Sequence, residues 1–126
     1  MNIAYVDTSC LVAIAFGEPA SDELARRLGG FDEIFSSNLL EAELRAVLAR
    51  EGAGGDAEWL SWLTWVLPDR PLSREITRVM TSGYVRGADL WHLACALYLA
   101  ETPRDLLFLT LDEKQAAISR ELGFAG

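Results

Sequence analysis

Residues 1–16 read MNIAYVDTSCLVAIAF, and this stretch decides the fold. Ile3–Val6 is a short apolar run that suits a buried strand of a parallel sheet. Asp7 follows it inside an otherwise apolar stretch, with no basic residue within ten positions on either side. An acid in this position is either the N-cap of a following helix or part of a site at the end of the strand.

Further apolar runs and helical patterns extend this layout along the chain. The runs IFSS at Ile34 and LLFLTL at Leu106 predict strands, and WVLP at Trp65 is a weaker candidate. Helical patterns cover residues 21–28, 38–50, 56–65, 73–83 and 89–100. Alternating strands and helices predict an α/β fold with a mainly parallel sheet covered on both faces, where ligands gather at the carboxyl ends of the strands.

Length and composition limit the class of protein. The chain has 126 residues, 51% of them hydrophobic, so we expect one compact domain over residues 1–126. The early apolar run of residues 10–16 is too short to span a bilayer, and the first residues carry no positive charge. We therefore expect a soluble, cytoplasmic protein without a membrane partner. Cys10 and Cys95 lie in apolar runs and should be buried and reduced.

The charge balance restricts the partners. Eleven basic and nineteen acidic residues give a formal net charge of -8, which argues against indiscriminate adhesion to nucleic acid. A polyanionic substrate would need a bound cation or a local patch of arginines, and a basic partner segment would also suit this charge. The candidate phosphate contacts are Arg45, Arg50, Arg74, Arg78 and Arg86.

Two glutamates of the helix predicted over residues 38–50 differ in their surroundings. Glu43 lies within the apolar stripe of that helix, although a solvated position at the edge of the stripe is an alternative. Glu41 lies one turn before Arg45, which suits an exposed ion pair. The pattern therefore marks Glu43, and not Glu41, as the unusual acid.

Asp89 and Asp112 also stand at junctions that lead into helices, where each can be interpreted as an N-cap. If the first and last strands are neighbours, Asp7 and Asp112 meet at the carboxyl edge of the sheet, within reach of Asp89 and Glu43. Crowded carboxylates raise one another's pKa values, and a divalent cation removes that conflict. Because Mg²⁺ and Mn²⁺ prefer carboxylate oxygens and water, the four acids predict a metal site.

Four short motifs occur in order over nearly the whole chain: VDTS at residues 6–9, EAEL at 41–44, ADLWHLACAL at 88–97 and LTLDEK at 109–114. Together they resemble the PIN-domain nucleases, and among them the compact ribonuclease toxins of the VapC type. The resemblance implies that Asp7, Glu43, Asp89 and Asp112 are the catalytic and metal-binding acids. It also implies that hydroxyl residues, Thr8 and Thr110, support the site.

The same resemblance implies a three-layer α/β/α sandwich and a metal-dependent endoribonuclease, the toxin of a type II toxin–antitoxin system. Such an enzyme hydrolyses RNA phosphodiester bonds with water activated by one or two Mg²⁺ or Mn²⁺ ions. Its expected partners are RNA, a second copy in a homodimer, and a cognate antitoxin whose tail inserts a basic residue among the acids. Some relatives carry another acid shortly after the last one, whereas here Glu113 is adjacent, so the metal count stays open.

Two other classes of function remain open. Receiver domains and some phosphatases also place acids at strand ends. The phosphatases need a second acid two residues after the first, where this chain has Ser9, and the receiver lysine is matched only by Lys114. The other class is a PIN-like domain that is catalytically weak and acts mainly by binding RNA or a protein partner.

Two further features have more than one interpretation. His92, the single histidine, lies one helical turn after Asp89 and could hydrogen-bond it or contact RNA, but packing or support of the site is the plainer interpretation. Trp59, Trp62 and Trp65 predict core filling, with a dimer surface or a groove for a partner helix as the alternative.

Overall fold

Four short parallel strands form the centre of the molecule. The computed structural model describes residues 2–52 and 58–126. The strands are β1 (Ile3–Val6), β2 (Glu33–Ser37), β3 (Leu63–Val66) and β4 (Leu106–Leu109), and they lie in the order β3-β2-β1-β4. β1 pairs in parallel with both β2 and β4. The first and last strands are therefore neighbours, as the predicted meeting of Asp7 and Asp112 requires.

Helices cover both faces of this sheet. The α-helices in the described part of the chain are α1 (Thr8–Ala15), α2 (Ser21–Leu28), α3 (Leu39–Arg50), α4 (Ser73–Ser82), α5 (Gly87–Leu99) and α6 (Glu113–Glu121). Side chains alternate along β1, so Tyr5 joins one apolar cluster while Ala4 and Val6 join the other. The Tyr5 cluster includes residues of α4, α5 and α6, and the other includes residues of α1, α2 and α3. The predicted three-layer α/β/α sandwich is confirmed.

The four predicted strands are present, but one predicted helix is wrong. Of the helix predicted over residues 56–65, residues 56 and 57 lie outside the described residues, and Glu58–Trp62 is a short 3₁₀ helix followed by β3. The tryptophans at spacing three favoured a helix locally. Residues 63–66 instead pair with β2, from Leu63 opposite Ile34 onward. Threonine, tryptophan and valine fit a pleated edge strand well, so tertiary pairing outweighs the local pattern.

The last residues of the chain cover the free edge of β4. The backbone N–H of Ala125 donates to the Leu106 carbonyl at 3.1 Å, and the N–H of Phe108 donates to the Ala125 carbonyl at the same distance. The Phe124 ring is buried and lies 5.8 Å from that of Phe108, measured between centroids. These contacts satisfy backbone groups that an edge strand would otherwise expose.

Other expectations can be compared with the structure. Cys10 and Cys95 are buried and free, and burial raises the pKa of both thiols, that of Cys95 to about 11.

Trp59 and Trp65 are partly buried against the apolar cluster of α1, α2 and α3, whereas Trp62 is 43% exposed, so core filling holds for two of the three. Within residues 2–52 and 58–126, none of the helices is long and apolar enough to cross a membrane.

Candidate active site

Asp7 lies between β1 and α1 and is nearly inaccessible to solvent, with 3% of its surface exposed. Its backbone N–H donates to the Leu109 carbonyl at 3.2 Å, which holds it at the carboxyl end of β4. Asp7 occupies the N-cap position of α1, yet its side chain makes no capping hydrogen bond. Its Oδ1 accepts from the Ser9 hydroxyl and its Oδ2 from the Thr110 hydroxyl, both at 2.6 Å. A helix cap therefore does not explain this acid.

The environment of Asp7 disfavours its charged form. Burial raises the pKa of this carboxyl above its usual value, although the hydroxyls of Ser9 and Thr110, the nearby His92 and the Cys10 backbone N–H act in the opposite direction. The net shift is upward because desolvation outweighs these interactions. A positive charge placed beside Asp7 would relieve this cost.

Glu43 on α3 has the opposite electrostatic situation. The Thr8 hydroxyl donates to its Oε1 at 2.6 Å, and Nε2 of His92 lies 3.4 Å from the same oxygen. The hydrogen bond with His92, with help from Thr8 and from the charge of Arg86, holds the pKa of Glu43 below its usual value despite partial burial. The predicted ion pair of Glu41 with Arg45 is confirmed at 2.7 Å, so the two glutamates do occupy different surroundings.

Asp89 lies in the first turn of α5, and the N-cap position belongs to Arg86. The alternative interpretation of Asp89 as an N-cap is therefore wrong, because α5 begins two residues earlier than predicted. Burial raises the pKa of Asp89, and the negative charges of Asp7 and Asp112 raise it further, against the opposing charge of Arg86. The structure thus places Asp89 within electrostatic reach of the two other aspartates.

Asp112 is the N-cap of α6, since its Oδ1 accepts from the backbone N–H of Gln115 at 2.8 Å. Its own N–H donates to the Thr110 hydroxyl at 3.0 Å. The Gln115 side chain, which is fully buried, donates from Nε2 to the Asp89 carbonyl at 3.2 Å. Gln115 therefore fixes the start of α5 to the start of α6, and with them the positions of Asp89 and Asp112.

The Thr110 hydroxyl is shared within this network. Its oxygen lies 2.6 Å from Oδ2 of Asp7 and 2.9 Å from Oε1 of Gln115. A hydroxyl has one proton, so it can donate to only one of these acceptors at a time. The bond to Asp7 is the shorter, as expected for a donor to an ionised carboxylate.

Sequence reasoning overlooked three residues of the site. They are Ser9, Gln115 and Tyr5. Ser9 lies two positions after Asp7 and donates a hydrogen bond to its carboxylate. Gln115 lies three positions after the N-cap Asp112, and this spacing, which is typical of a helix start, could have marked it. Tyr5, whose hydroxyl lies 2.8 Å from Nδ1 of His92, gave no signal because a tyrosine in a buried strand is an ordinary core residue. His92 contacts Tyr5, Thr8 and Glu43 and makes no hydrogen bond with Asp89 in the described structure.

The candidate arginines differ in their availability. Arg45 and Arg50 are in ion pairs with Glu41 and Glu51. Arg86 is exposed, and its charge lowers the pKa values of both Glu43 and Asp89. Of the candidate phosphate contacts, Arg86 is therefore the one that acts on the acids of this site.

The donor set can be tested against a divalent cation. In the described parts of the chain, no hydrogen bond ends on the Asp89 carboxylate, on Oδ2 of Asp112 or on Oε2 of Glu43. These are hard oxygen donors that suit Mg²⁺ or Mn²⁺. No three histidine, cysteine, aspartate or glutamate side chains of residues 2–52 and 58–126 are grouped so that they could hold one ion. The donor types therefore suit a divalent cation, while the described side chains do not enclose one ion.

A comparison with protein families agrees with this geometry. The model of the PIN domain matches residues 4–121, a range that contains all four acids. The chain therefore belongs to the PIN domain family. The PIN fold is a nuclease fold, and its members are typically metal-dependent nucleases that bind RNA. No curated protein matches the chain closely.

Proposed function

We propose that this protein is a metal-dependent endoribonuclease whose catalytic, metal-binding acids are Asp7, Glu43, Asp89 and Asp112. The observation that carries the proposal is the convergence of Asp7, which follows β1, and Asp112, which follows the adjacent strand β4, on Asp89 in the first turn of α5, whose pKa their charges help to raise. A cation bound beside Asp7 and Asp89 would relieve the desolvation and repulsion that raise their pKa values. We propose Mg²⁺ or Mn²⁺ as that cation and RNA as the substrate.

Some residues of the chain would position the carboxylates, and another would contact the substrate. Ser9 and Thr110 hold both oxygens of Asp7, and Thr8 and His92 hold Oε1 of Glu43, so these carboxylates are fixed before any ligand binds. When bound, the cation would supply an activated water and neutralise charge on the leaving oxygen. The exposed Arg86 would contact a phosphate beside it.

We further propose that the chain acts as a single nuclease domain in the cytoplasm, as the toxin of a type II toxin–antitoxin system. An acidic site on a protein with a net charge of -8 is electrostatically suited to a basic segment of an antitoxin. A homodimer belongs to the same proposal. Growth arrest on expression, relieved by the product of a neighbouring gene and absent for Asp7→Asn, is the expected outcome. Arrest by Asp7→Asn as well would separate toxicity from the acids.

The alternative is a catalytically weak PIN-like domain that acts mainly by binding RNA or a protein partner. The observation that favours it is the absence of a three-residue metal group among the described side chains. A domain of this kind would bind RNA equally well with and without divalent cations. The nuclease would need them.

Cleavage of RNA in Mg²⁺ or Mn²⁺ by the parent and by matched variants tests the proposal. Asp7→Asn and Glu43→Gln should each lose activity about a hundredfold or more, because even groups around a metal ligand are worth 10–100-fold. Glu41→Gln is the control, since Glu41 lies two residues from Glu43 on the same helix but pairs with Arg45. Equal cleavage by all four proteins, or cleavage that survives a chelator, would defeat the assignment.

A further inference from the structure

A buried polar pair, Tyr5 and His92, lies beneath the acids, and Tyr5 has no part in the function proposed above. Tyr5 of β1 and His92 of α5 have 0% and 1% of their surfaces exposed, and Oη of Tyr5 lies 2.8 Å from Nδ1 of His92. The Tyr5 ring stacks on Phe108 inside an apolar cluster, with centroids 5.4 Å apart. Polar groups in such surroundings are costly unless all of them are hydrogen-bonded.

The hydrogen bonds determine where the histidine carries its proton. The Ser37 backbone N–H donates to Oη of Tyr5 at 3.0 Å, so the hydroxyl proton of Tyr5 is directed to Nδ1 of His92. If Nδ1 carried the proton instead, the Tyr5 proton would have to turn from Nδ1, 2.8 Å away, to the neighbouring Ser36 hydroxyl, whose own proton bonds the Val6 carbonyl at 2.7 Å. In the neutral form of the ring, Nδ1 is therefore the acceptor and Nε2 carries the proton.

The other side of the ring leads to the same assignment. Nε2 of His92 lies 3.2 Å from Oγ1 of Thr8 and 3.4 Å from Oε1 of Glu43. The single proton of Thr8 is engaged in the 2.6 Å bond to Glu43. A bare Nε2 would thus present a lone pair to two oxygen atoms, whereas an Nε2–H donates to them.

The result is a chain of hydrogen bonds through four elements. It starts at Ser37 at the end of β2, passes through Tyr5 in β1 and His92 in α5, and ends at Glu43 in α3. Oε1 of Glu43 is held by two donors, while Oε2 accepts no hydrogen bond from residues 2–52 or 58–126. The rotation of the carboxylate is thereby fixed, with one oxygen left for a ligand.

We propose that Tyr5 and His92 are positioning residues for Glu43, acting through an imidazole that is protonated on Nε2. Tyr5 selects the tautomer, His92 holds Oε1, and Oε2 is presented to the divalent cation. The last clause rests on the proposed function, in which Glu43 is a metal ligand. The tautomer and the contact with Glu43 do not.

The single histidine of the chain makes the first test direct. Protein grown with ¹⁵N-labelled histidine shows one imidazole, whose two nitrogen shifts report which nitrogen carries the proton in the metal-free state. We expect a protonated Nε2, an Nε2 shift that moves in Glu43→Ala, and an Nδ1 shift that moves in Tyr5→Phe. A proton on Nδ1, or an Nε2 shift that Glu43→Ala leaves unchanged, would overturn the proposal.

Two substitutions at residue 92 separate positioning from packing. The amide nitrogen of His92→Gln can occupy a place near that of Nε2, whereas His92→Asn reaches only the place of Nδ1. Calorimetry with Mn²⁺ should show affinity weakened about 10- to 100-fold in His92→Asn and largely retained in His92→Gln. Equal affinity in both variants, whether retained or lost, would contradict a positioning role.

The outcomes of these experiments also distinguish the positioning role of His92 from the proposed nuclease activity. A parent protein that binds Mn²⁺ and cleaves no RNA would defeat the proposed function, while the two variants would still decide the role of His92. A parent that cleaves RNA, with Mn²⁺ affinity unaltered by His92→Asn, would leave the nuclease intact and overturn the role of His92. A parent that binds no Mn²⁺ would defeat the proposed function and the presentation of Oε2 to a cation, while the nitrogen shifts of His92 would still decide the tautomer and the contact with Glu43.

Discussion

Asp7 and Glu43 show how neighbouring residues give two carboxylates opposite properties. Asp7 is surrounded by protein and its carboxylate receives hydrogen bonds from two hydroxyls, so burial dominates and its pKa is raised. Glu43 is partly exposed and has His92 beside it, so its pKa is lowered. In such a site one carboxylate disfavours its charged form and the other favours it. The site can therefore bind a cation without carrying the full negative charge of both acids beforehand.

The pH dependence of stability should reveal the cost of Asp7. Because its pKa is raised on folding, the native state binds its proton more tightly than the unfolded state does. The cost of ionising it is absent below the unfolded pKa and is complete above the folded one. Asp7→Asn should therefore melt higher than the parent at neutral pH, by roughly 4 °C for each kcal/mol gained. The difference should disappear in acid, as followed by thermal unfolding across the pH range.

Glu43→Gln should shift the melting temperature in the opposite direction under the same conditions. A lowered pKa contributes stability that is present above the unfolded value and is lost as the pH falls through the folded value. This variant should melt lower than the parent at neutral pH and match it in acid. If both variants shifted the melting temperature in the same direction at neutral pH, the assigned environments of the two acids would be incorrect.

Gln115→Met tests the buried link between α5 and α6. Methionine has a similar shape but cannot bond the Thr110 hydroxyl or the Asp89 carbonyl, so the contacts of a fully buried side chain with both would be lost. We expect a loss of about 1–3 kcal/mol in the free energy of unfolding, measured in urea. Glu113→Gln, on the exposed face of the same turn, should change the stability by less than about 0.5 kcal/mol. A Gln115→Met protein as stable as this control would show that the link contributes nothing.

At the scale of elements, the sequence predicted the sheet better than the segment before β3. β1 and β4 lie in apolar runs that are closed by an acid. The run gives the bounds of β1 directly, whereas β4 ends at Leu109, before the end of its run at Leu111. Residues 63–66 form a strand because β2 offers a partner, and the local pattern gave only a weaker strand candidate at Trp65 that overlapped the predicted helix.

The acids were predictable and most of their partners were not. Each acid stands at a strand or helix boundary, or on an apolar stripe, and both patterns can be read along the chain. The bonds Thr8–Glu43 and Tyr5–His92 join residues 35 and 87 positions apart. They depend on the strand order and on helix placement, which follow from tertiary packing.

Phe124→Ala tests the covering of the β4 edge. The ring is buried against Phe108, and removal of a large aromatic side chain from a core costs about 3–5 kcal/mol. Loss of this anchor should also release Ala125 from β4 and expose a strand edge, so we expect self-association by sedimentation. Leu111→Ala, at a site that is 54% exposed, is the control and should leave stability and association unchanged. Stability of Phe124→Ala equal to the control would contradict the anchoring role.

At the scale of the whole molecule, the net charge of -8 determines how RNA binding should respond to ions. A basic RNA-binding protein loses affinity as salt is added, because it releases counterions from the phosphates. Here we expect the opposite response to a divalent cation, since the cation would bridge the acids and the phosphate. Fluorescence anisotropy with labelled RNA, with Ca²⁺ in place of Mg²⁺ to suppress cleavage, should show tighter binding as Ca²⁺ rises. Glu43→Gln should lose this gain, and Glu41→Gln should keep it.

The three consecutive residues after β1 have a consequence for protein design. Asp7 is held by Thr110 beyond β4, Thr8 reaches Glu43 on α3, and Ser9 donates to Asp7 while accepting from the N–H of Leu111. If this tripeptide were moved to another parallel sheet, two of its hydrogen-bond partners would have to come from opposite sides of the central strand. Thr110 follows β4, whereas Glu43 lies on the helix that follows β2. The smallest portable unit is therefore a strand with both of its flanks. One residue inserted ahead of Asp7 would direct every side chain of the tripeptide to the wrong partner.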